Sequence, residues 1–255
     1  MAQKGTGGGV KSDETLLGIV ETVRELNGAT VTELADELGL AKSTVHSHLQ
    51  TLEEHGFMRR SDGEYVISYR FHDYGIWARN QSDLFQVAKP RLKELSRETG
   101  HKVWCVVERQ GKAVYLYGAE GRSPIQTYAR EGATTELHFL AAGKAILAHL
   151  PEEERKAIVG DGPLPAKTDD TTTDPEELLA ELETVREQGV AFNIGEAMEG
   201  LNAIGTPIKR VGDGVYGAIS LSGAANRLPR EQLESEYAER LLGIANEIEI
   251  NIRHL

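Results

Sequence analysis

The stretch VTELADELGL (31–40), AKSTVHSHLQTLEEHG (41–56) and FMRRSDGEYVIS (57–68) decides the fold of the chain's first part. In its first segment Leu34, Ala35, Leu38 and Leu40 fall on one side of a short helix. Thr30 can cap that helix, and Glu33 three residues on completes a capping box. Gly39 supplies a tight turn. In the second segment Val45, Leu49 and Leu52 recur at helical spacing up to Gly56. The opposite face carries Lys42, Ser43, Thr44, Ser47 and Gln50, small or flexible polar groups suited to meeting base edges in a major groove about 12 Å wide. The period then changes to that of strands. Asp62-Gly63 is a hairpin-turn signal, with Arg59 and Arg60 beside it. Helix, turn, helix and hairpin in that order form a winged helix-turn-helix. Its candidate DNA contacts are Lys42, Ser43, Thr44 and Ser47 for bases, and Arg59 and Arg60 for phosphate or minor groove.

Working outward, SDETLLGIVETVRELNG (12–28) reads as an amphipathic first helix with Leu16, Leu17, Ile19, Val20, Val23 and Leu26 inward. The polar, glycine-rich residues 1–11 read as a disordered tail, 12–69 as the winged module, 70–82 as a connector helix, and 83–255 as a second domain. FQVAKPRLKELSRETG gives a helix with Pro90 near a start or a kink. KVWCVVERQGKAVYLYG reads as two strands around Gln110-Gly111, followed by a strand over 124–130. Helices are expected at 142–150, 152–159 and 175–188, the last with Asp174 as cap, Pro175 at its first position and Glu177 three residues after the cap. Strands return at 190–193, 203–209 and 215–222, and 230–254 closes the chain as one long helix. This mixture indicates an α+β domain, one antiparallel sheet with helices packed on it.

Composition sets the class. At 255 residues the chain is long enough for two domains, and 40% hydrophobic residues suffice for real cores. Apolar runs such as VWCVV and FLAAG fall far short of the roughly 20 residues that span a bilayer. One cysteine, Cys105, excludes an internal disulfide and suits a reducing compartment. With no signal-peptide core at the N-terminus, a cytoplasmic protein with no membrane contact is expected.

Charge runs the other way. A net charge of −12 is unusual for a DNA binder, because phosphate contacts favour a basic footprint. Within residues 1–70 seven lysines and arginines face eleven carboxylates. Either the module is degenerate, or the acidic excess keeps the protein hydrated in a salt-rich cytoplasm. Three of the seven, Lys42, Arg59 and Arg60, sit on the candidate recognition helix and wing, which favours the second explanation. Few phosphate contacts per subunit would then be made up by an oligomer.

Three segments carry a family resemblance: STVHSHLQTLEEHGF (43–57), LHFLAAGKAILAHLP (137–151), and the block from Gln188 through EGLNAIGTPI (199–208) to GAISLSG (217–223). Nearly the whole chain beyond the tail resembles the IclR family of prokaryotic transcription regulators. The resemblance implies a GAF-like C-terminal sensor domain that binds a small effector, and dimers or tetramers bound to palindromic operators. It implies effector contacts at Ala141, Ala142, Asn193, Ala203, Ser220 and Ser222. Three positions depart from the family pattern: Ser47 stands where arginine is usual, Asn193 where many members have aspartate, and Ala203 where they have cysteine. Loss of the aspartate makes the pocket less repellent to an anion.

The residues themselves point to the same region. Ala141-Ala142-Gly143-Lys144 opens a helix whose exposed N-terminus would offer free amides to a carboxylate. Ser220 and Ser222 alternate with Ala218, Ile219 and Leu221, so their hydroxyls share a sheet face. A small polar metabolite, an organic acid or sugar derivative, is expected. The small residues argue against an aromatic-stacking cleft, though Tyr128 could lie near it.

Other chemistries find less support. GTGGGVKS (5–12) resembles a phosphate-binding loop, but Val10 occupies the final glycine position and no strand can precede it. His46 and His48 project to different sides of a helix, and Cys105, His101 and His138 lack the paired spacing of a zinc site. His138 could bond an effector or simply pack. No strained strand-to-helix serine motif is present, and no cofactor is expected. The rival readings are an enzyme built on the sensor domain and a partner-binding module with a degenerate winged helix.

Overall fold

The structure, a computed structural model, describes residues 9–121 and 129–255. The expected strand over 124–130 lies almost wholly outside them, as does Tyr128; Ala129 and Arg130 are not in a strand. The chain divides into two compact units, residues 1–78 and 79–255.

In the first unit α1 (Lys11–Glu25), α2 (Val31–Leu38) and α3 (Lys42–Glu54) precede the hairpin of β1 (Met58–Ser61) and β2 (Glu64–Ile67). The capping box forms as its sequence demands. The Thr30 amide donates to Glu33 Oε2 at 2.8 Å, and the Glu33 amide returns to Thr30 Oγ1 at 3.3 Å. Gly39 takes the left-handed conformation that ends α2, at φ 64°. Asp62 and Gly63 both have positive φ, 52° and 90°, as a tight primed turn requires. Ile19, Val23, Leu34, Val45, Leu49 and Leu52 bury with Met58 and Tyr65 in one core. Two residues expected inward on α1 are not: Leu17 and Leu26 are exposed, because the buried stripe follows Ile19, Thr22 and Val23. Helix α4 (Arg70–Asn80) buries no residue and leaves Tyr74, Ile76 and Trp77 exposed. Its first residue, Arg70, donates to the His55 carbonyl oxygen and lies 4.8 Å over the Phe57 ring.

The second unit is built on a six-stranded antiparallel sheet. Its strands are β3 (Lys102–Arg109), β4 (Lys112–Ala119), β5 (Thr134–Thr135), β6 (Ala191–Ile194), β7 (Leu201–Lys209) and β8 (Val215–Ala224), in the order β5-β4-β3-β8-β7-β6. Alternation along β3 separates two cores. Val103, Cys105 and Val107 face α5 (Asp83–Thr99) and α10 (Ala238–Ile252), whereas Trp104 and Val106 share the opposite core with α6 (Ala141–Leu147) and α8 (Pro175–Gln188). Between α6 and α8 lies α7 (Glu152–Val159). Asp174 caps α8 through two amides, at 2.8 and 3.0 Å.

Two helices differ from expectation. Pro90 sits well inside α5 rather than near a start, where its missing N–H leaves one turn without a backbone bond. The closing segment is not one regular helix: a short α9 (Arg230–Gln232) passes through a π turn at Leu233–Tyr237 before α10. Leu233 and Tyr237, the ends of that turn, are both buried.

Helix α6 rests directly on the sheet. A Cβ at Gly205 of β7 would stand 2.6 Å from the Ala141 carbonyl carbon, so only glycine lets helix and strand approach this closely.

Candidate functional site

Strand register assembles a cavity beside that contact. Trp104, Ser220 and Gly205 are cross-strand partners on β3, β8 and β7, and Ser222, Ala203 and Asn193 are partners on β8, β7 and β6. Partners share a face of the sheet, and this is the face on which α6 lies. The resulting cavity, about 610 Å³, is lined by all six positions singled out in the sequence: Ala141, Ala142, Asn193, Ala203, Ser220 and Ser222.

Its walls are less uniform than the sequence suggests. Trp104, Tyr115 and Phe139 also line it, so the expectation of a cleft without aromatics is wrong. The Trp104 and Tyr115 rings lie 4.7 Å apart. Trp104 is accommodated by Gly118 on the neighbouring strand, where a Cβ would come within 2.5 Å of its ring. Burial pushes the Tyr115 hydroxyl pKa up to about 12, which keeps it a neutral donor. The start of α6, expected to be exposed, is buried; Ala141 and Ala142 are each 2% exposed. That helix has no side-chain cap, and Leu140, Ala141 and Ala142 at its start line the cavity.

The polar residues divide in their commitments. Asn193 donates from Nδ2 to the Phe139 carbonyl oxygen at 2.8 Å and accepts from the Glu196 amide at 3.0 Å, so it already braces the wall. Ser222 reaches the Lys102 carbonyl oxygen only at 3.4 Å. The Ser220 hydroxyl, on a residue 7% exposed, has no partner among the described residues.

Sequence reasoning missed two lysines. Lys144, 1% exposed, holds the buried Glu196 at 2.7 and 3.0 Å and the partly exposed Glu181 at 2.6 Å, an ion triad behind the α6 contact. Lys167 lines the cavity and lies 6.0 Å from the centre of the Phe139 ring. Neither shows in a local pattern; a basic residue inside LHFLAAGKAILAHLP is the one hint for Lys144. His138 stays out of the cavity lining, and its ring Nε2 bonds the Pro165 carbonyl oxygen at 2.9 Å. Burial lowers its pKa. Cys105 is buried in the opposite core, its thiol pushed up to about 12 and thus unreactive. Among the described residues no cluster of histidine, cysteine and carboxylates is placed to hold a metal, and no helix is long and apolar enough to cross a membrane.

In the first unit Lys42, Ser43, Thr44 and Ser47 are all exposed at the N-terminal half of α3. That helix has no side-chain N-cap and no acid in its first turn, unlike α2. No carboxylate occurs from Lys42 to Gln50, so the positive end of the helix is uncompensated despite the acidic chain. The Ser47 hydroxyl donates to the Ser43 carbonyl oxygen at 3.0 Å. The two wing arginines are not equivalent. Arg60 pairs with Glu53, donates to the Tyr65 hydroxyl and stacks on its ring, whereas Arg59 is exposed and has no ion-pair partner among the described residues.

The IclR helix-turn-helix domain matches residues 16–62, and the bacterial transcriptional regulator IclR C-terminal domain matches residues 78–250. The chain is 32% identical over 238 residues to the "Probable HTH-type transcriptional regulator ArcR" of Halobacterium salinarum, covering 92% of this chain and 90% of that one. It is similar to the crystal structure of the Thermotoga maritima IclR, with a TM-score of 0.75 and 30% identity over 95% of this chain and 97% of that one. The fold also matches an IclR homolog from Microbacterium hydrocarbonoxydans complexed with 4-hydroxybenzoate, with a TM-score of 0.82 at 20% identity over 96% and 100% of the two chains. A winged helix-turn-helix followed by an antiparallel-sheet domain with an internal cavity, matched in both parts, makes this chain a member of the IclR family of transcriptional regulators.

Proposed function

We propose that Lys42, Ser43, Thr44 and Ser47 on α3 read operator bases, and that an organic acid or a sugar-derived compound in the second unit's cavity changes operator affinity. The observation that carries the effector reading is the convergence of Ala141, Ala142, Asn193, Ala203, Ser220 and Ser222 on one cavity of about 610 Å³. One helix and three strands contribute, and the unpartnered Ser220 hydroxyl gives a ligand something to satisfy. The 4-hydroxybenzoate held by the M. hydrocarbonoxydans homolog is itself an organic acid, which supports that class.

On the DNA side, the uncapped, carboxylate-free start of α3 and its Lys42 favour phosphate and base edges together. Arg59 grips phosphate; Arg60 contributes mainly by fixing the wing to α3. A cytoplasmic homodimer or homotetramer is the working form, because one recognition helix reads too few base pairs to select a site. The exposed Tyr74, Ile76 and Trp77 of α4 supply an apolar contact between copies. The role is regulatory rather than enzymatic, in keeping with relatives named as transcription regulators.

The test is calorimetric titration of the full chain with a panel of organic acids and sugar acids. Ser220→Ala should weaken the binding acid by about 1–3 kcal/mol, the cost of leaving a buried partner unpaired, with operator affinity of the free protein unchanged. Equal binding by the variant lacking both serines would place the ligand elsewhere.

A further inference from the structure

The cavity is polarised, and its polarity says which way a ligand enters. Among its described lining residues Lys167 is the sole cation and Glu199 the sole carboxylate, and both are exposed. By contrast Trp104 and Ser220, 6% and 7% exposed, and the half-buried Tyr115 line its less accessible part. Neither Tyr115 nor Trp104 has a side-chain hydrogen bond among the described residues, although each carries a donor. Volume argues against a very small acid. At about 30 Å³ per water, 610 Å³ matches roughly twenty waters, so a three-carbon acid would leave most of the aromatic wall wet.

Lys167 is rooted firmly. Its amide donates to Thr171 Oγ1 at 3.0 Å, and Thr171 Oγ1 donates to the Glu196 carbonyl oxygen at 2.7 Å. Next to it, Thr168 Oγ1 donates to the Gly195 carbonyl oxygen at 2.9 Å. The backbone at Lys167 is thereby tied to the loop that Lys144 anchors through Glu196. Only its side chain is free: the ammonium has no carboxylate within ion-pair distance among the described residues and sits near the Phe139 face.

Building on the effector reading above, we propose that Lys167 is the specificity-determining counter-ion of this cavity, and that the ligand is an aromatic carboxylate bound ring-inward with its carboxylate at the mouth. The ring lies against Trp104, Tyr115 and Phe139, and Ser220 and Tyr115 serve a polar substituent at the far end. The ammonium pairs with the carboxylate charge to charge; a neutral amide of the same shape can still accept its hydrogen bond but lacks the opposite charge.

Titration of the full chain with benzoate, 4-hydroxybenzoate, benzamide, pyruvate and gluconate tests this. Wild type should bind 4-hydroxybenzoate or benzoate several-fold more tightly than benzamide, the size of one ion pair at an exposed lysine. Lys167→Ala should remove that preference by weakening benzoate more than benzamide, Lys167→Arg should retain it, and Lys167→Glu should reverse it. Two results overturn the proposal: wild-type affinity for the aromatic acids in Lys167→Ala, or equal binding of benzoate and benzamide by wild type. Binding of pyruvate or gluconate alone, lost in Ser220→Ala, would overturn the aromatic assignment while sparing the cavity. Binding of no compound would overturn the aromatic assignment, and aromatic-acid binding unaffected by Ser220→Ala and Lys167→Ala would overturn the cavity reading itself.

Discussion

The Lys144 ammonium lies 2.7 and 3.0 Å from the two carboxylate oxygens of Glu196, inside a core where Lys144 is 1% exposed. This pair joins the helix that rests on the sheet to the loop that closes the cavity. Glu181 completes the triad from α8 at 2.6 Å. Lys144→Met should therefore cost on the order of 3–5 kcal/mol in urea unfolding, because it strands a buried carboxylate. Lys144→Met combined with Glu196→Gln should recover a good part of that loss. A double variant no more stable than the single one would show that packing, not charge, holds this contact.

Acid should destabilise the second unit through its histidines. Burial lowers the pKa of His101, His138 and His149 below the ordinary 6.5. Above about pH 7 both folded and unfolded states hold them neutral, so they add no pH dependence. As pH falls through 6.5 the unfolded chain takes up protons that the folded chain does not, and stability drops. The urea midpoint should be flat above pH 7 and decline towards pH 5. His138→Gln should make that decline shallower, since glutamine can still donate to Pro165; an unchanged slope would remove His138 from this account.

The wing arginines should separate in their effects on DNA. Arg59→Ala should weaken operator and random duplex alike and reduce the salt slope by about one per subunit. Arg60→Ala removes the contacts with Glu53 and Tyr65 and should lower the thermal stability of the winged unit more than Arg59→Ala does. Parallel salt titrations and melting curves of the two variants distinguish these outcomes from two equivalent arginines.

Assembly is tested on α4. Trp77, 65% exposed, and Ile76 present apolar surface that a second copy would cover. Trp77→Glu should shift sedimentation equilibrium towards a smaller species and weaken operator binding. An unchanged mass would move the interface elsewhere.

What the sequence showed plainly was local. Thr30 with Glu33, Asp62 with Gly63, Gln110 with Gly111 and the Asp174 cap are turn and cap chemistry confined to a few residues, and each is found as written. The six candidate cavity positions came through alternation and family resemblance, and the strand register brings them together. What the sequence does not show is tertiary. The wall that Trp104 forms shows only once Gly118 of β4 lies against its ring. Arg60 looks like a free cation until Glu53 and Tyr65 fold against it. Asn193 looks like a ligand donor until the Phe139 carbonyl and the Glu196 amide claim its amide group. Leu17 and Leu26 were misplaced because an apolar residue on a short helix need not lie on its buried stripe.

The central claim is that the exposed, carboxylate-free half of α3 selects a DNA sequence. Selection from a random duplex pool by the full chain, followed by sequencing, measures this directly. The account predicts enrichment of one sequence, arranged as two related half-sites about one helical turn or a multiple of it apart. The double variant Ser43→Ala, Thr44→Ala should lose that sequence while keeping salt-sensitive binding to duplex. A pool that stays random with wild type at low salt, or the same enrichment by the double variant, would contradict it.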